Sequence, residues 1–205
     1  MMEESGLSKT EIVNRLVDVI EKEVVPLTDV AVRNGNKLFG AAILRKSDLS
    51  FVVAGTNTET ECPLWHGEVA SIRNFWSLPA AKRPPPSDCI MLATHEPCSM
   101  CISAITWSAF PETYHLFSME RTRDAFNIPH DLKIYKEVFG CERATRTNEF
   151  FTAYDIYELV DSLPVSDKET CSKRLESMEN IYAELSLLYQ DSKTTRGPHS
   201  GIQRP

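Results

Sequence analysis

The sequence predicts an α/β layered domain, and three observations carry that reading. Short apolar runs of strand length recur at residues 38–44, 50–55, 89–94 and 114–117. The stretches between them hold apolar residues at three- to four-residue spacing, the period of a helix with one buried face. Strands alternating with helices bury both sets of apolar faces as a sheet layered with helices. Finally, 205 residues, 42% hydrophobic and 25% charged, describe one ordinary globular domain with a core of good size.

Each element follows from local signals. Ser8-Lys9-Thr10-Glu11 has the form of a helix capping box, and Ile12, Leu16, Val19, Ile20 and Val24 follow at helical spacing. Pro26 either ends that helix, kinks it or opens a second one, which runs to about Asn34 with Gly35 as its cap. Residues 38–44 and 50–55, with a polar turn around Lys46-Ser47-Asp48, read as a hairpin. Asn57 follows it, in a polar loop. From His66, Val69, Ile72 and Phe75 keep a helical spacing, and Pro79 and Pro84-Pro85-Pro86 mark the exit. Residues 89–94 form a central strand that leads to Pro97 and a further helix. Residues 114–117 are a fourth strand, and 134–139 suit a helix first and a strand second. Past Arg146 comes an aromatic-rich segment with Phe150, Phe151, Tyr154 and Tyr157, then a second capping box at Ser166–Glu169. Leu175, Met178, Ile181, Leu185 and Leu188 then predict a long amphipathic helix, packed on the core or on a partner subunit. The expected organisation is a helical segment at 1–35, a core at 36–145, a helical extension at 146–191 and a disordered tail at 192–205.

The chemistry concentrates in two clusters, His66-Gly67-Glu68 and Pro97-Cys98-Ser99-Met100-Cys101. One imidazole and two thiolates suit tetrahedral zinc, and three protein ligands leave a fourth position for water. Zinc lowers the pKa of such a water to about 7. Glu68 is two residues past His66, within reach to shuttle protons without binding the metal. Both clusters fall where a helix begins, and a helix N-terminus favours the thiolates of Cys98 and Cys101. A closed structural zinc site with Cys62 or Cys89 as fourth ligand is the competing reading.

This H-x-E and P-C-x-x-C pair, in this order, resembles the signature of the cytidine deaminase-like superfamily. The resemblance covers residues 38–139, within the branch that holds guanine, fungal-type cytosine and tRNA adenosine deaminases. It implies a three-layer α/β/α fold with a central mixed sheet, a dimer or higher oligomer, and zinc (Zn2+) as cofactor. It makes His66, Cys98 and Cys101 the ligands, Glu68 the catalytic proton shuttle, and Asn57 a contact to the base. Ala104-Ile105-Thr106-Trp107 and Ile134-Tyr135-Lys136-Glu137 are similar to guanine deaminases, and make Trp107 a candidate wall for the base. His66-Gly67-Glu68, where guanine and tRNA deaminases read H-A-E, is similar to fungal cytosine deaminases instead, and Ser99 stands where proline is commoner. The implied function is hydrolytic deamination of a small amino-bearing nucleobase or nucleoside, a guanine-like purine first and cytosine second. A tRNA adenosine deaminase, or an inactive subunit of one, is the alternative.

Plainer roles stand beside these. Asn57 suits a loop cap, Trp107 a core position, and His95 an outward place behind the ligands. The aromatic segment 150–157 suits core packing or a lid. The net charge of −7 gives no general attraction to a nucleic acid. Arg121, Arg123, Arg143 and Arg146 alternate with acids and polar residues, as on a solvated face. Residues 38–44, the longest apolar stretch, cannot span a bilayer, and the acidic N-terminus is no signal peptide. Six cysteines without a disulfide spacing fit a reducing setting, cytoplasmic or nuclear, and the homodimer is what the family resemblance implies.

Overall fold

Ser8 opens the first helix as its sequence predicts: its hydroxyl accepts from Glu11 N, and the Glu11 carboxylate accepts from Ser8 N at 2.8 Å. Such a cap stabilises a helix by about 1 kcal/mol. The structure, a computed structural model, describes the backbone of residues 6–196 and the side chains through Ser192. Helix α1 (Lys9–Val19) passes through a π turn (Ile20–Val24) into α2 (Val25–Arg33), with Pro26 in the first turn of α2. Proline thus opens the second helix, where its missing N–H costs nothing. Gly35 closes it with φ 89°.

The hairpin is β1 (Gly40–Arg45) and β2 (Phe51–Thr56), and it leads to α3 (Gly67–Ser77). Then come β3 (Cys89–His95), α4 (Ser99–Trp107) and β4 (Glu112–Phe117). Two short helices follow, α5 (Met119–Phe126) and α6 (His130–Ile134), the second extended by a π turn (Tyr135–Phe139). The chain ends in β5 (Thr152–Asp155), α7 (Ile156–Asp161) and the 32-residue α8 (Val165–Arg196).

The sheet order is β2-β1-β3-β4-β5, with β1 antiparallel to both neighbours and β3, β4 and β5 parallel. Side-chain alternation sorts two cores. Ala41, Ile43, Met91 and Ala93 meet Phe75, Ile105 and Phe110 on the side of α3 and α4. Ala42, Leu44, Ile90, Leu92 and Leu116 meet the other helices, including Leu16 and Ile20 of α1 and Leu175 and Tyr182 of α8. This is the three-layer α/β/α arrangement with a mixed sheet. The first and last helices are tied together: Arg174 reaches Asp18 at 2.6 Å and the Asn14 side chain at 2.9 Å, and Thr10 donates to Asp167 at 2.8 Å.

Several details depart from the sequence reading. The aromatic segment packs on the core as one of its two readings has it, but as an unforeseen strand: residues 152–155 are the edge strand β5, and Tyr154 stacks on Tyr114 at 4.8 Å. The Ser166–Glu169 box does not form, because α8 has already begun at Val165 and Lys168 N donates to Pro164 O. The buried stripe of α8 runs Cys171, Leu175, Met178, Tyr182, Leu185 and Tyr189, which leaves Leu188 41% exposed. The expected tail is helical to Arg196, and its remainder, 197–205, lies outside the described residues. No helix among the described residues is long and apolar enough to cross a membrane.

Candidate active site

His66 and Cys98 are the N-cap residues of α3 and α4, the two helices on one face of the sheet. An N-cap residue is extended, so its side chain leans over the helix mouth, and the two mouths converge. His66 Nδ1 lies 3.6 Å from Cys98 Sγ and 3.7 Å from Cys101 Sγ. Zinc–nitrogen and zinc–sulfur bonds of about 2.05 and 2.3 Å at a tetrahedral angle put nitrogen and sulfur about 3.6 Å apart. The three donors therefore fit zinc in both type and spacing. They form the one group of potential ligands among the described residues, so Cys62 and Cys89 do not complete a closed site. Cys89 instead points into the core with Met91 and Ala93.

The electrostatics suit that donor set. A hydrogen bond from Cys101 and the neighbouring His66 bring the Cys98 thiol far below its ordinary pKa despite burial. Burial pushes the Cys101 thiol well up. Burial also works against a charged His66, yet Cys98 and Glu59 hold its pKa up at about 10. Glu68, in the first turn of α3 and 5% exposed, accepts the Cys101 S–H at 3.3 Å. Its pKa is pushed up to about 7 by burial and by the charge on Cys98.

Asn57 does both things the sequence allowed for it. Its Oδ1 accepts from Gly67 N at 2.6 Å, which pins the start of α3, while the residue lines the cavity beside His66, Glu68 and Cys98. That inner cavity, about 20 Å³, adjoins a mouth of about 190 Å³ walled by Leu64, Met100, His130, Asp131 and Ile134. Such a space lies below the roughly 300–1,000 Å³ of pockets for drug-sized ligands. Trp107 is not part of it. It ends α4, nine residues past the Cys98 cap and so about 13 Å along the axis, and is 91% exposed. The aromatic side chain in the cavity is Phe39, whose ring lies 4.7 Å from that of His95. His95 points inward and not outward: it is 6% exposed, and its Nε2 has no hydrogen-bond partner. Asp131 Oδ2 stands 3.5 Å from that nitrogen, too far for a hydrogen bond. Burial holds the His95 pKa down, hence the ring neutral.

Three of these residues carried no sequence signal that singled them out. Phe39 and Asp131 arrive from loops and short helices. Glu59 is a third case: it is 4% exposed, and its Oε1 lies 3.4 Å from His66 Nε2 and 2.7 Å from Lys37 Nζ. The inner part of Gly67, by contrast, is explained by packing. A Cβ there would lie 2.6 Å from Gly40 Cα and 2.8 Å from Gly40 C in β1. Glycine is required for α3 to lie this close to the sheet, and the residue between His66 and Glu68 therefore says nothing about the base. The four arginines are each paired with an acid: Arg121 with Glu179, Arg123 with Asp124, Arg143 with Glu120 and Arg146 with Glu158.

Residues 20–116 match the family described as the cytidine and deoxycytidylate deaminase zinc-binding region. The chain is similar to the guanine deaminase of Bacillus subtilis (strain 168), 33% identical over 102 residues, which is 49% of this chain and 62% of that protein. The chain thus spans less than two thirds of that relative's length. Its structure is similar to an X-ray structure of guanine deaminase from Bacillus subtilis at TM-score 0.46 and 26% identity, over 61% of this chain and 76% of that one. A guanine deaminase from Nitrosomonas europaea aligns at TM-score 0.43 and 17% identity, over 77% and 81% of the two chains.

Proposed function

We propose that this protein, whose residues 20–116 match the cytidine and deoxycytidylate deaminase zinc-binding region, is a zinc-dependent hydrolytic deaminase of a small amino-substituted nucleobase, a guanine-like purine first. The observation that carries the reading is the triad of His66 Nδ1 with two thiol sulfurs 3.6 and 3.7 Å away, with the Glu68 carboxyl 3.3 Å from one of them. His66, Cys98 and Cys101 are the ligands. Bound zinc supplies a water acid enough to attack near neutral pH. Glu68, its carboxyl pKa pushed up to about 7, is the group that would hold a proton from the nucleophile and pass it to the departing amine. Asn57, His95 and Asp131 present polar groups to the edge of the base, and Phe39 replaces Trp107 as the aromatic wall.

The guanine-like choice rests on the similarity to a guanine deaminase and on the A-I-x-W and I-Y-K-E matches. Gly67 no longer speaks for cytosine, because β1 packing accounts for it. A polymer substrate is disfavoured by the net charge of −7 and by the acid partner of every arginine in the cluster. Six free cysteines support a reducing, cytoplasmic setting, and the exposed Trp107 supports a homodimer.

Ammonia release decides the matter, measured on guanine, cytosine, adenine, their nucleosides and a tRNA anticodon stem-loop. Guanine is expected to give the highest kcat/KM. A higher value for the stem-loop than for every small molecule overturns the reading, as does a zinc-loaded protein that releases no ammonia from any of them.

A further inference from the structure

The loop between β2 and α3 buries a carboxylate that the deamination step does not use. Thr58 N donates to Trp65 O at 2.9 Å and Thr60 N to Asn36 Oδ1 at 2.9 Å, so the loop is held on both sides of Glu59. The Glu59 side chain is turned inward. Oε2 accepts from Lys37 N at 3.3 Å. Oε1 has two neighbours, Lys37 Nζ at 2.7 Å and His66 Nε2 at 3.4 Å. Neither is an aligned hydrogen bond, and Oε1 counts as a buried acceptor with no donor properly aimed at it. Burying an acceptor without a donor is costly, so such an atom calls for an explanation.

The chemistry of His66 supplies one. Its Nδ1 faces the two sulfurs, and its Nε2 faces Glu59. A neutral imidazole carries one proton, and the ring nitrogen that binds a metal must be the bare one. We propose that Glu59 is the positioning residue of the metal site: its Oε1, 3.4 Å from His66 Nε2, favours the tautomer with the proton on Nε2, which sets the ring plane and leaves the Nδ1 lone pair for the metal. Lys37, 12% exposed, balances the charge of the buried carboxylate from the α2–β1 loop. Partners of this kind orient metal-bound histidines, and their loss typically lowers metal affinity about 10- to 100-fold. The sequence hides the role, since Glu59 and Glu61 alternate with threonines in Thr58-Glu59-Thr60-Glu61.

The inference rests on the proposed zinc site, and its test separates the two. Zinc affinity is measured by competition with a chromophoric chelator at fixed pH for wild type, Glu59→Gln and Lys37→Met, with thermal melts of the metal-free proteins alongside. The visible spectrum of each cobalt(II)-substituted protein reports ligand geometry. Glu59→Gln is expected to bind zinc 10- to 100-fold more weakly and to shift the cobalt bands, with its metal-free melt close to wild type. Lys37→Met leaves the His66 Nε2–H facing Oε1 without the competing ammonium and is expected to hold zinc at least as tightly as wild type. Equal zinc affinity in wild type and Glu59→Gln overturns the positioning role while the metal site stands. Equal loss in both variants also overturns it, because the pair is then a structural salt bridge. If Glu59→Gln does not fold, the double variant Lys37→Met, Glu59→Leu removes the buried pair whole. It must show the same loss of affinity, and wild-type affinity there overturns the proposal. No zinc bound by the wild type refutes the site itself and the positioning role with it.

Discussion

Replacing Gly67 by alanine restores the H-A-E form of the first motif and tests whether glycine is there for packing. The added Cβ would sit 2.6 Å from Gly40 Cα, 2.8 Å from Gly40 C and 3.1 Å from Ala41 N. Carbon atoms rest at about 3.5–4.0 Å, so the start of α3 must lift from β1 by roughly 1 Å. All three atoms are backbone in a strand paired on both sides, so no side chain can turn aside. Overpacking of this kind costs about 1–3 kcal/mol. Alanine recovers part of that, at most the ~1 kcal/mol by which it outranks glycine inside a helix. A net loss of about 1–2 kcal/mol lowers Tm by about 2–8 °C in a chain of this size. The lift also moves His66 and Glu68, and a shift of about 1 Å at a reacting centre can cost ~10²-fold in rate. Calorimetric melts of the zinc-loaded proteins, with kcat/KM on guanine and cytosine, measure both effects. Stability at or above wild type with intact activity would refute the packing argument. A changed ratio between the two bases would show that Gly67 reads the substrate after all.

Three further outcomes follow from the site and its surroundings. Glu68→Gln keeps stoichiometric zinc and the wild-type circular dichroism spectrum but loses about 10²- to 10⁴-fold in kcat, as expected for a proton shuttle that is not a ligand; near-normal turnover contradicts that role. Cys98→Ala loses zinc by elemental analysis while Cys62→Ala retains one per chain, and the reverse pattern rules out the triad. Burial raises the Asp155 pKa, but His115 and the N–H groups of Tyr157 and Glu158 outweigh it and hold the carboxyl below its ordinary value. Its stabilisation is therefore present above the unfolded pKa of about 4 and is lost as pH falls through the depressed folded value. The Tm deficit of Asp155→Asn is accordingly full at pH 7 and shrinks below about pH 4; a deficit that grows on acidification contradicts the assignment.

The parts of this fold legible in the sequence are those set by near neighbours. The Ser8 box, the proline at the start of α2 and the hairpin depend on residues a few positions apart, and all three formed. The metal triad was legible because its chemistry demands fixed residue types at fixed short spacings. Strand β5 was not, since residues 152–155 gain their extended form by pairing with β4, far away in the chain, and sit at a sheet edge where alternation is weak. Helix α5 did leave a signal: Ser118 caps it by accepting from Arg121 N, and Asn127 closes it at φ 55°. Trp107 misled because similarity in a helix fixes its register and not what its far end meets. Glu59 could not be read at all. Two glutamates share its loop, and only the fold decides that one of them lies against Lys37 and His66.

The pairing of the first helix with the last has a consequence for timing. Every residue of the metal triad and of the core beneath α3 and α4 precedes residue 117, whereas the opposite face of the sheet is covered in large part by α8, which begins at Val165. A chain emerging from the ribosome therefore exposes Ala42, Leu44, Ile90 and Leu92 while α1 waits for the partner that Arg174 and Asp167 provide. Domains fold largely as units during synthesis, and a bare apolar sheet face is prone to aggregate. The late interval of translation, from the end of β4 to the end of α8, is thus when this protein depends most on chaperones. Stalled nascent chains ending near residue 160 should be held by hydrophobic-binding chaperones, and chains carrying all of α8 outside the exit tunnel should be released.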